Sequence, residues 1–290
     1  MKALAIAALC GAALALGCAE RPGPVEPTHP LTTDVAAAAP APLTITPFEV
    51  PGARDAFASG INPQGDIVGG YFAAGGYHGF LRHGDTYTTI DVPGASETEA
   101  LGINPQGDVV GFSIAGGIHG FLLHAGAFTT IDVPGQTETL ATGIDQQGDV
   151  LGYYNVSAPH GFLLHDGNYS LIDVPGAFYN EFHGIGLQGD IVGGYTTLGT
   201  HGFVLHQGTF TTVDVPGAFN TDVSGITPRG DLVGYYNDGP TDHGFVRRQG
   251  TLTTFDGPGS TLTRALGINP RGVIVGYYVS GGLPHPFVAH

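Results

Sequence analysis

Side chains suited to binding a polar ligand occupy a few positions in this 290-residue chain where its repeated segments differ. They supply carboxylate, imidazole, guanidinium and phenol groups, at Glu99, Tyr179, Glu181, His183, Asp222 and Arg264. Such groups can hydrogen-bond the hydroxyls of a sugar or another small polar ligand, and a carboxylate near a histidine can also exchange protons. We predict that these six residues contribute to a ligand site, and we assign none of them a catalytic role.

The surrounding sequence repeats with a period of about 41 residues, and three motifs mark the period. A repeat of this length with internal turn signals indicates a repeat architecture. His-Gly-Phe begins at His78, His119, His160, His201 and His243, with an altered sixth copy at His285. An acidic residue precedes Val-Pro-Gly at Glu49, Asp91, Asp132, Asp173 and Asp214, and Asp256 begins an altered copy. Gly-Ile begins at Gly60, Gly102, Gly143, Gly184, Gly225 and Gly267.

Each repeat has the pattern of four short strands, as residues 102–135 illustrate. Asn104-Pro105-Gln106-Gly107 has the residue types of a type I turn. The segments around it are rich in Val, Ile, Phe and Thr, which favour strands. The closing Pro-Gly ends the last strand, because proline cannot donate to a ladder and glycine accepts a positive φ. Four antiparallel strands in about 40 residues are typical of one β-propeller blade.

The two ends of the repeated region complement each other. The last repeat stops at His290 without its fourth strand, and residues 43–52 have the sequence of that strand. We therefore expect an all-β fold over residues 43–290, a six-bladed β-propeller of four-stranded antiparallel blades. The ring would be closed by the N-terminal strand completing the C-terminal blade, which leaves no unpaired sheet edge there.

The candidate site residues fall at positions where the repeats vary. The residue three before each Gly-Ile is Phe57, Glu99, Leu140, Glu181, Asp222 or Arg264. These positions lead into the innermost strands, so we expect them to rim the central channel, on the face where the variable loops emerge. Variable loops on a rigid scaffold commonly carry binding sites. His183 is the only histidine of residues 43–290 outside the repeated positions, and it lies two residues from Glu181.

The repeated histidines and acids favour structural roles, since every repeat has them. We expect each His-Gly-Phe histidine to hydrogen-bond a neighbouring strand or turn, with the acids Asp66, Asp108, Asp149 and Asp190 as candidate partners. The acid before Val-Pro-Gly is expected to accept N–H groups of that turn. No spacing resembles a zinc cluster, a calcium loop, a nucleotide-binding loop or a nucleophile elbow, so we expect no metal and no cofactor.

The charge limits the partners. The formal net charge is −16, and Lys2 is the only lysine. A chain this acidic is a poor match for nucleic acid or an anionic membrane surface, and its body cannot use lysine chemistry.

The first 42 residues have the composition of a targeting segment and a tether. Residues 1–17 combine a basic start with an apolar run too short to span a membrane, as in a signal peptide. The sequence before Cys18 resembles the lipobox of bacterial lipoproteins, with Ala15 where leucine is usual. That resemblance implies lipidation of Cys18 and a location in the bacterial cell envelope, as an outer-membrane lipoprotein or at the cell surface. Ordinary cleavage near Ala19 is the alternative, and residues 18–42 are rich in Pro and Ala, as in an extended tether.

The repeats themselves resemble a known family. Gly-Ile-Asn-x-x-Gly-x-[Ile/Val]-Val-Gly-[Tyr/Phe], followed by His-Gly-Phe-[Leu/Val], is similar to the HAF-type extracellular repeat of bacterial secreted proteins. The resemblance covers residues 43–290, although glycine replaces alanine after the histidine and the chain has no tryptophan. It implies export and a repeat-built β fold, and it assigns no activity and no catalytic residue.

These observations favour a non-catalytic binding module for a glycan or an extracellular protein. We expect a monomer that touches the membrane only through its lipid anchor. A propeller lyase or hydrolase with its site on the same face is one alternative, and a structural or spacer protein without a specific ligand is another.

Overall fold

A computed structural model describes residues 43–290, and within that range every regular element is a β-strand. The predictions for residues 1–17, for the tether at 18–42 and for lipidation of Cys18 lie outside the described residues. No helix in the described part of the chain has the length and apolar character needed to cross a membrane.

The strands follow the predicted repeat. The first strands of the six repeats are β2 (Asp55–Ile61), β6 (Glu97–Ile103), β10 (Thr139–Ile144), β14 (Tyr179–Ile185), β18 (Asn220–Ile226) and β22 (Leu262–Ile268). The second strands are β3 (Ile67–Ala73), β7 (Val109–Ile114), β11 (Val150–Tyr154), β15 (Ile191–Thr196), β19 (Leu232–Asn237) and β23 (Ile274–Ser280). The third strands are β4 (Gly76–His83), β8 (Ile118–His124), β12 (His160–His165), β16 (Thr200–His206), β20 (Asp242–Arg248) and β24 (Leu283–Ala289). The fourth strands are β5 (Thr86–Ile90), β9 (Ala127–Ile131), β13 (Asn168–Ile172), β17 (Thr209–Val213) and β21 (Thr251–Phe255), and β1 (Ile45–Pro47) precedes them all.

Strands within a repeat pair antiparallel in chain order. The strand β1, which comes from the N-terminal side of the repeats, pairs with β24 and places Ile45 opposite Ala289. Backbone hydrogen bonds between Thr44 and His290, both 3.2 Å long, extend this pairing beyond the strand. The described residues therefore form an all-β β-propeller with antiparallel four-stranded blades.

The number of separate sheets differs from the prediction of six. Within residues 43–290, strand pairing gives four four-stranded sheets and one eight-stranded sheet. The larger sheet joins repeats four and five through a single parallel bridge between Thr200 and Asn220. The Thr200 N–H also donates to the Asn220 side-chain oxygen at 3.3 Å. This contact depends on the loops at the ends of β15 and β17, which the repeat period does not specify.

The core lies between neighbouring sheets. The phenylalanine of each His-Gly-Phe motif is fully buried, as its counterpart is in the sixth repeat, and these are Phe80, Phe121, Phe162, Phe203, Phe245 and Phe287. The clusters join successive repeats, because Phe203 packs in one cluster with Leu151 of the preceding repeat. Val275 of the sixth repeat likewise packs in one cluster with Ala58 and Phe80 of the first. Burial of these aromatic and aliphatic groups provides the main stabilising free energy.

Two features position the first strands. The glycine of each Gly-Ile lets neighbouring first strands approach closely, and a Cβ at Gly184 would lie only 2.7 Å from the carbonyl oxygen of Ser224. Each first strand also has a β-bulge just before that glycine; in β14 the register shifts between Phe182 and Gly184. The bulged residue is therefore His183 in this strand. Bulges redirect side chains and are common beside functional sites.

We expect removal of residues 43–47 to destabilise the protein. The deletion removes β1 and the bonds of Thr44 to His290, and each such bond contributes about 0.5–1.5 kcal/mol. A loss of about 2–4 kcal/mol, together with self-association through the exposed edge of β24, should follow. Urea unfolding and size-exclusion chromatography measure the two effects. Removal of residues 36–40 is the length-matched control, and equal behaviour of the two deletions would contradict a role for β1.

Candidate functional site

The positions that vary between repeats lie on the first strands, which contact one another from repeat to repeat. Each first strand contacts the first strand of the next repeat, from β2 through β6, β10, β14 and β18 to β22, and β22 contacts β2. The residue three before each Gly-Ile therefore lies on the strand that contacts the first strands of the neighbouring repeats. The same backbone position holds a different side chain in each repeat.

Three of the predicted residues form one compact group, which we call the acid–histidine cluster (Glu181, His183 and Asp222). The Nε2 of His183 lies 2.8 Å from Oδ1 of Asp222 and 3.6 Å from Oε2 of Glu181. One donor atom from each residue lies within 4.8 Å of the other two. The side chains of Glu181, His183 and Asp222 are 19%, 25% and 3% exposed. The cluster is thus largely enclosed and retains limited access to solvent.

Local backbone structure explains why these groups meet. Glu181 and His183 both lie on β14, where the bulge leaves His183 without a partner on β15. Asp222 lies on β18 in the next repeat. Its carboxylate fits because the facing residue on β15 is Gly194, where a Cβ would overlap the Asp222 carboxylate oxygen. Glycine at that position therefore makes room for a charged group between two repeats.

Two tyrosines hold the carboxylates from outside the cluster. The Tyr179 hydroxyl donates to Oε1 of Glu181 at 2.9 Å. The Tyr235 hydroxyl donates to Oδ2 of Asp222 at 3.2 Å. In each acid one oxygen is thus bound by a phenol and the other faces His183, so the orientation of both carboxylates is fixed.

Burial and charge shift the protonation of the cluster. Burial raises the pKa of Glu181, and the nearby His183 only partly offsets this effect. Burial lowers the pKa of His183, but the Asp222 carboxylate and its hydrogen bond raise it more, so the net pKa is above the ordinary value. The arrangement therefore favours a protonated imidazole against the Asp222 carboxylate.

Arg264 joins the site through a neighbouring tyrosine. Its Cζ lies 4.3 Å from the centre of the Tyr235 ring, and its Nε donates to Oδ2 of Asp242 at 2.7 Å. Its positive charge is close enough to Glu181 to lower the pKa of that carboxyl. Arg264 thus places a positively charged guanidinium group against Tyr235, and the hydroxyl of the same tyrosine binds Asp222.

Glu99 lies further away, on β6. Burial, with a smaller contribution from the Glu97 carboxylate, raises the pKa of Glu99 to about 8. Burial also raises the pKa of Tyr153, and the charges of Glu181 and Glu99 raise it further. Tyr153 therefore lies within electrostatic reach of both acids. The structure brings four predicted residues together and adds Arg264 through Tyr235, whereas Glu99 is outside the acid–histidine cluster.

Sequence reasoning did not single out Tyr153, Tyr235 or Asp242. The two tyrosines lie on second strands, opposite the variable first-strand residues Leu140 and Asp222. The other second strands have glycine, phenylalanine or tyrosine at this position. This variation at one position of an otherwise regular second strand is the sequence feature that could have indicated Tyr153 and Tyr235.

The repeated histidines form hydrogen bonds with acidic side chains, and these partners differ from the prediction. In the first five repeats the His-Gly-Phe histidine bonds through Nδ1 to the acid before Val-Pro-Gly, as in His78 with Asp91 at 2.8 Å and His160 with Asp173 at 3.0 Å. The predicted partners Asp66, Asp108, Asp149 and Asp190 instead bond the second histidine of each repeat, at 2.5–2.7 Å. The assignment was wrong because it did not account for strand register, which places each acid beside the other histidine.

The acids before Val-Pro-Gly therefore bind histidine. Their turn is closed by a backbone bond, for example from the Ala95 N–H to the Val92 carbonyl at 3.1 Å. In the sixth repeat Nε2 of His285 lies 3.3 Å from the Ser280 carbonyl oxygen. The pairs of the His-Gly-Phe histidines recur in the first five repeats and those of the second histidines in the first four, so both belong to the scaffold.

Exposed apolar side chains lie at the ends of the strands that carry the acid–histidine cluster, or in a turn of the same repeat. We call them the apolar rim (Phe178, Leu198 and Phe219). The two phenylalanines are 69% and 70% exposed, and Leu198 is fully exposed. Phe178 directly precedes β14, Phe219 directly precedes β18, and Leu198 lies in the turn between β15 and β16. All three emerge at the end of the sheets where the first strands begin, the end at which Tyr179 lies.

Comparison with known proteins supports the fold. No protein-family model and no curated protein sequence matches the chain. Solved structures that resemble it include the β-propeller domain of the Trilobed protease from Pyrococcus furiosus, with 8% identity, a TM-score of 0.50, and 82% of this chain and 94% of that chain covered. A fucose-specific lectin from Aleuria aurantia has 11% identity and a TM-score of 0.50, covering 79% of this chain and 89% of the lectin. The PQQ-bound aldose sugar dehydrogenase from Streptomyces coelicolor has 12% identity and a TM-score of 0.51, covering 87% of this chain and 99% of the dehydrogenase. At these identities the likeness concerns the fold alone, which is a β-propeller.

Proposed function

We propose that the propeller binds a glycan without catalysing a reaction, at the face of repeats four and five that carries the acid–histidine cluster and the apolar rim. The observation that carries the proposal is that two exposed phenylalanines directly precede β14 and β18, the two strands that carry the fixed carboxylates. Large apolar side chains are normally buried, so their exposure together on one face is typical of a binding surface.

The chemistry of a sugar matches both parts of this surface. One face of a pyranose ring presents C–H groups that pack on the ring of Phe178 or Phe219. The hydroxyls at its edge can donate to the Glu181 carboxylate, the more exposed of the two acids of the cluster. Ligand sites commonly combine aromatic walls with a few fixed polar groups in this way.

The variation among repeats favours binding over a purely structural role. The scaffold contacts recur in nearly every repeat, as the His–Asp pairs do. The acid–histidine cluster occurs once in the described residues, at positions where other repeats have Phe57 or Leu140. One of the structural neighbours is described as a fucose-specific lectin, which makes glycans a reasonable first ligand class to test.

The test is a glycan array probed with the full-length chain, followed by calorimetry with the methyl glycoside of the best hit. We expect Phe178→Ala and Phe219→Ala each to weaken binding by about tenfold, which corresponds to about 1.4 kcal/mol. Leu171→Ala is the matched control, because Leu171 is 63% exposed on β13 and lies outside the apolar rim. Absence of glycan binding by the wild type, or an equal loss in the control, would contradict the proposal.

Acid–base catalysis on the same ligand is a second candidate. The observation that favours it is the convergence of Glu181, with its raised pKa, and His183 within one enclosed cluster. Paired groups of this kind can transfer protons in glycan cleavage. Release of a shortened product from a bound glycan would distinguish catalysis from binding alone.

We also propose that the ring has six blades and is closed. The eight-stranded sheet would count as two blades, because only the Thr200–Asn220 bridge joins its halves. Closure is supported by the bond from the Asn269 side-chain amide to the Asn62 carbonyl, 3.2 Å long, between the sixth and first repeats.

We further propose export and anchoring through lipidated Cys18, for which the support is the leader sequence. Metabolic labelling with a fatty acid, lost in Cys18→Ser, tests the anchor.

A further inference from the structure

The acid–histidine cluster has the composition and spacing of a metal site, although no short sequence motif predicts one. It offers one imidazole nitrogen and two carboxylate oxygens, all within 4.8 Å of one another. Donors bound to one cation at about 2.0–2.2 Å can be at most about 4.4 Å apart, and Nε2 of His183 lies 2.8 Å and 3.6 Å from the two carboxylate oxygens. The three donors come from β14 and β18, which are in contact with each other.

The groups around the cluster orient its donors toward a common point. The Tyr179 hydroxyl holds Oε1 of Glu181, and the Tyr235 hydroxyl holds Oδ2 of Asp222. The remaining oxygens, Oε2 of Glu181 and Oδ1 of Asp222, are those nearest to Nε2 of His183. Outer groups that fix ligand orientation in this manner are a general feature of protein metal sites.

The cluster also differs from an ordinary exposed group of acids. All three side chains are at least three-quarters shielded from solvent, and Asp222 is only 3% exposed. Two carboxylates brought together in such surroundings repel each other, and a divalent cation would neutralise them both. Gly194 provides the space that the Asp222 carboxylate needs at this point.

The donor set selects the kind of cation. Calcium and magnesium prefer oxygen ligands alone, whereas copper(I) prefers sulfur. One imidazole with two carboxylates suits zinc, manganese or cobalt in the divalent state. Three protein donors leave at least one coordination position for water. On binding, Nε2 of His183 donates its lone pair to the cation, and any proton it carried leaves to solvent.

We propose that Glu181, His183 and Asp222 bind one divalent transition-metal cation of this class. The site goes beyond the proposed glycan binding and does not depend on it.

The experiment titrates the EDTA-treated full-length chain with ZnCl2 and with MnCl2 in a calorimeter. We expect one tight equivalent for at least one of the two metals, and a rise in melting temperature on its addition. His183→Gln and Glu181→Gln should weaken that equivalent by about 100-fold or more. Tyr235→Phe removes no donor atom and should weaken it by about 10–100-fold, as expected for a group that orients a ligand.

The control is His201→Gln, because His201 also pairs with a carboxylate, that of Asp214, but lies outside the cluster. The tight equivalent should be unchanged in this variant. The proposal is overturned if the wild type has no stoichiometric binding, or if His201→Gln loses binding as strongly as His183→Gln does. Melting curves without metal establish that each variant is folded, and Tyr235→Phe provides a readout should the ligand variants be unstable.

Discussion

Gly193→Ala is expected to lower the free energy of unfolding by about 3 kcal/mol or more, and it disturbs the candidate site at the same time. Gly193 lies on β15 opposite Phe182, and a Cβ there would overlap the carbonyl oxygen of Glu181. On the other side it would lie 2.9 Å from Cε1 of the buried Phe203. Overpacking of this kind costs about 1–3 kcal/mol when side chains can move, and here the obstacle is backbone.

To make room for a Cβ at Gly193, the Glu181 carbonyl must shift, and the residues that follow it in β14 would move as well. Because Glu181 and His183 lie on this strand, glycan and metal binding should both weaken even where the protein remains folded. Urea unfolding monitored by circular dichroism measures the stability change. Gly199→Ala is the control in the same repeat, because a Cβ at Gly199 has only ordinary contacts, the nearest 3.6 Å away. Equal midpoints for the two variants would show that β14 and β15 are not packed as described.

The repeated sequence predicts the strands well because each repeat meets the same physical constraints. Glycine recurs on the second strands where a Cβ would collide with the backbone of the first strand, as at Gly193. Phenylalanine recurs where sheets pack, as at Phe203. These requirements are local to one repeat or its neighbour, so they appear directly as a period. The bridge between Thr200 and Asn220 could not be predicted in this way, because it depends on the conformation of two loops.

The histidine pairs show the same limit at the level of single contacts. Both acids of a repeat are within sequence reach of both histidines, and only the strand register decides that His83 bonds Asp66 while His78 bonds Asp91. A spacing rule cannot separate these alternatives. It does predict that histidines repeated at fixed positions serve the scaffold.

The candidate site was predictable in its positions but not in its geometry. Glu181, His183 and Asp222 stand out because they interrupt a repeated pattern. Their meeting depends on the bulge at His183 and on the absence of a side chain at Gly194. The three residues also lack the short sequence spacing that is typical of metal sites, since His183 and Asp222 are 39 residues apart. The cluster therefore emerges only from the packing of two repeats.

Glu99→Gln should stabilise the protein, by an amount that increases with pH. In the folded state burial, together with Glu97, raises the pKa of Glu99 from 4.5 to about 8. Between these two values the folded protein keeps the proton while the unfolded chain has lost it. The free energy of unfolding of the wild type therefore falls as pH rises from 4.5 to about 8, by about 1.4 kcal/mol per unit at most, and levels off above that pH.

Glutamine has a similar shape and does not ionise, so the variant lacks the loss of stability that ionisation of Glu99 causes in the wild type. Its advantage over the wild type should be small near pH 5 and reach up to about 4 kcal/mol at pH 9. Urea unfolding at pH 5, 7 and 9 gives the difference directly. Asp85→Asn controls for removal of one negative charge, because Asp85 is fully exposed. If the advantage of Glu99→Gln is the same at all three pH values, Glu99 is ionised in the folded protein at neutral pH. Its side chain would then be a carboxylate, a hydrogen-bond acceptor. A growing advantage instead means that Glu99 presents a neutral carboxyl group, which can donate a hydrogen bond.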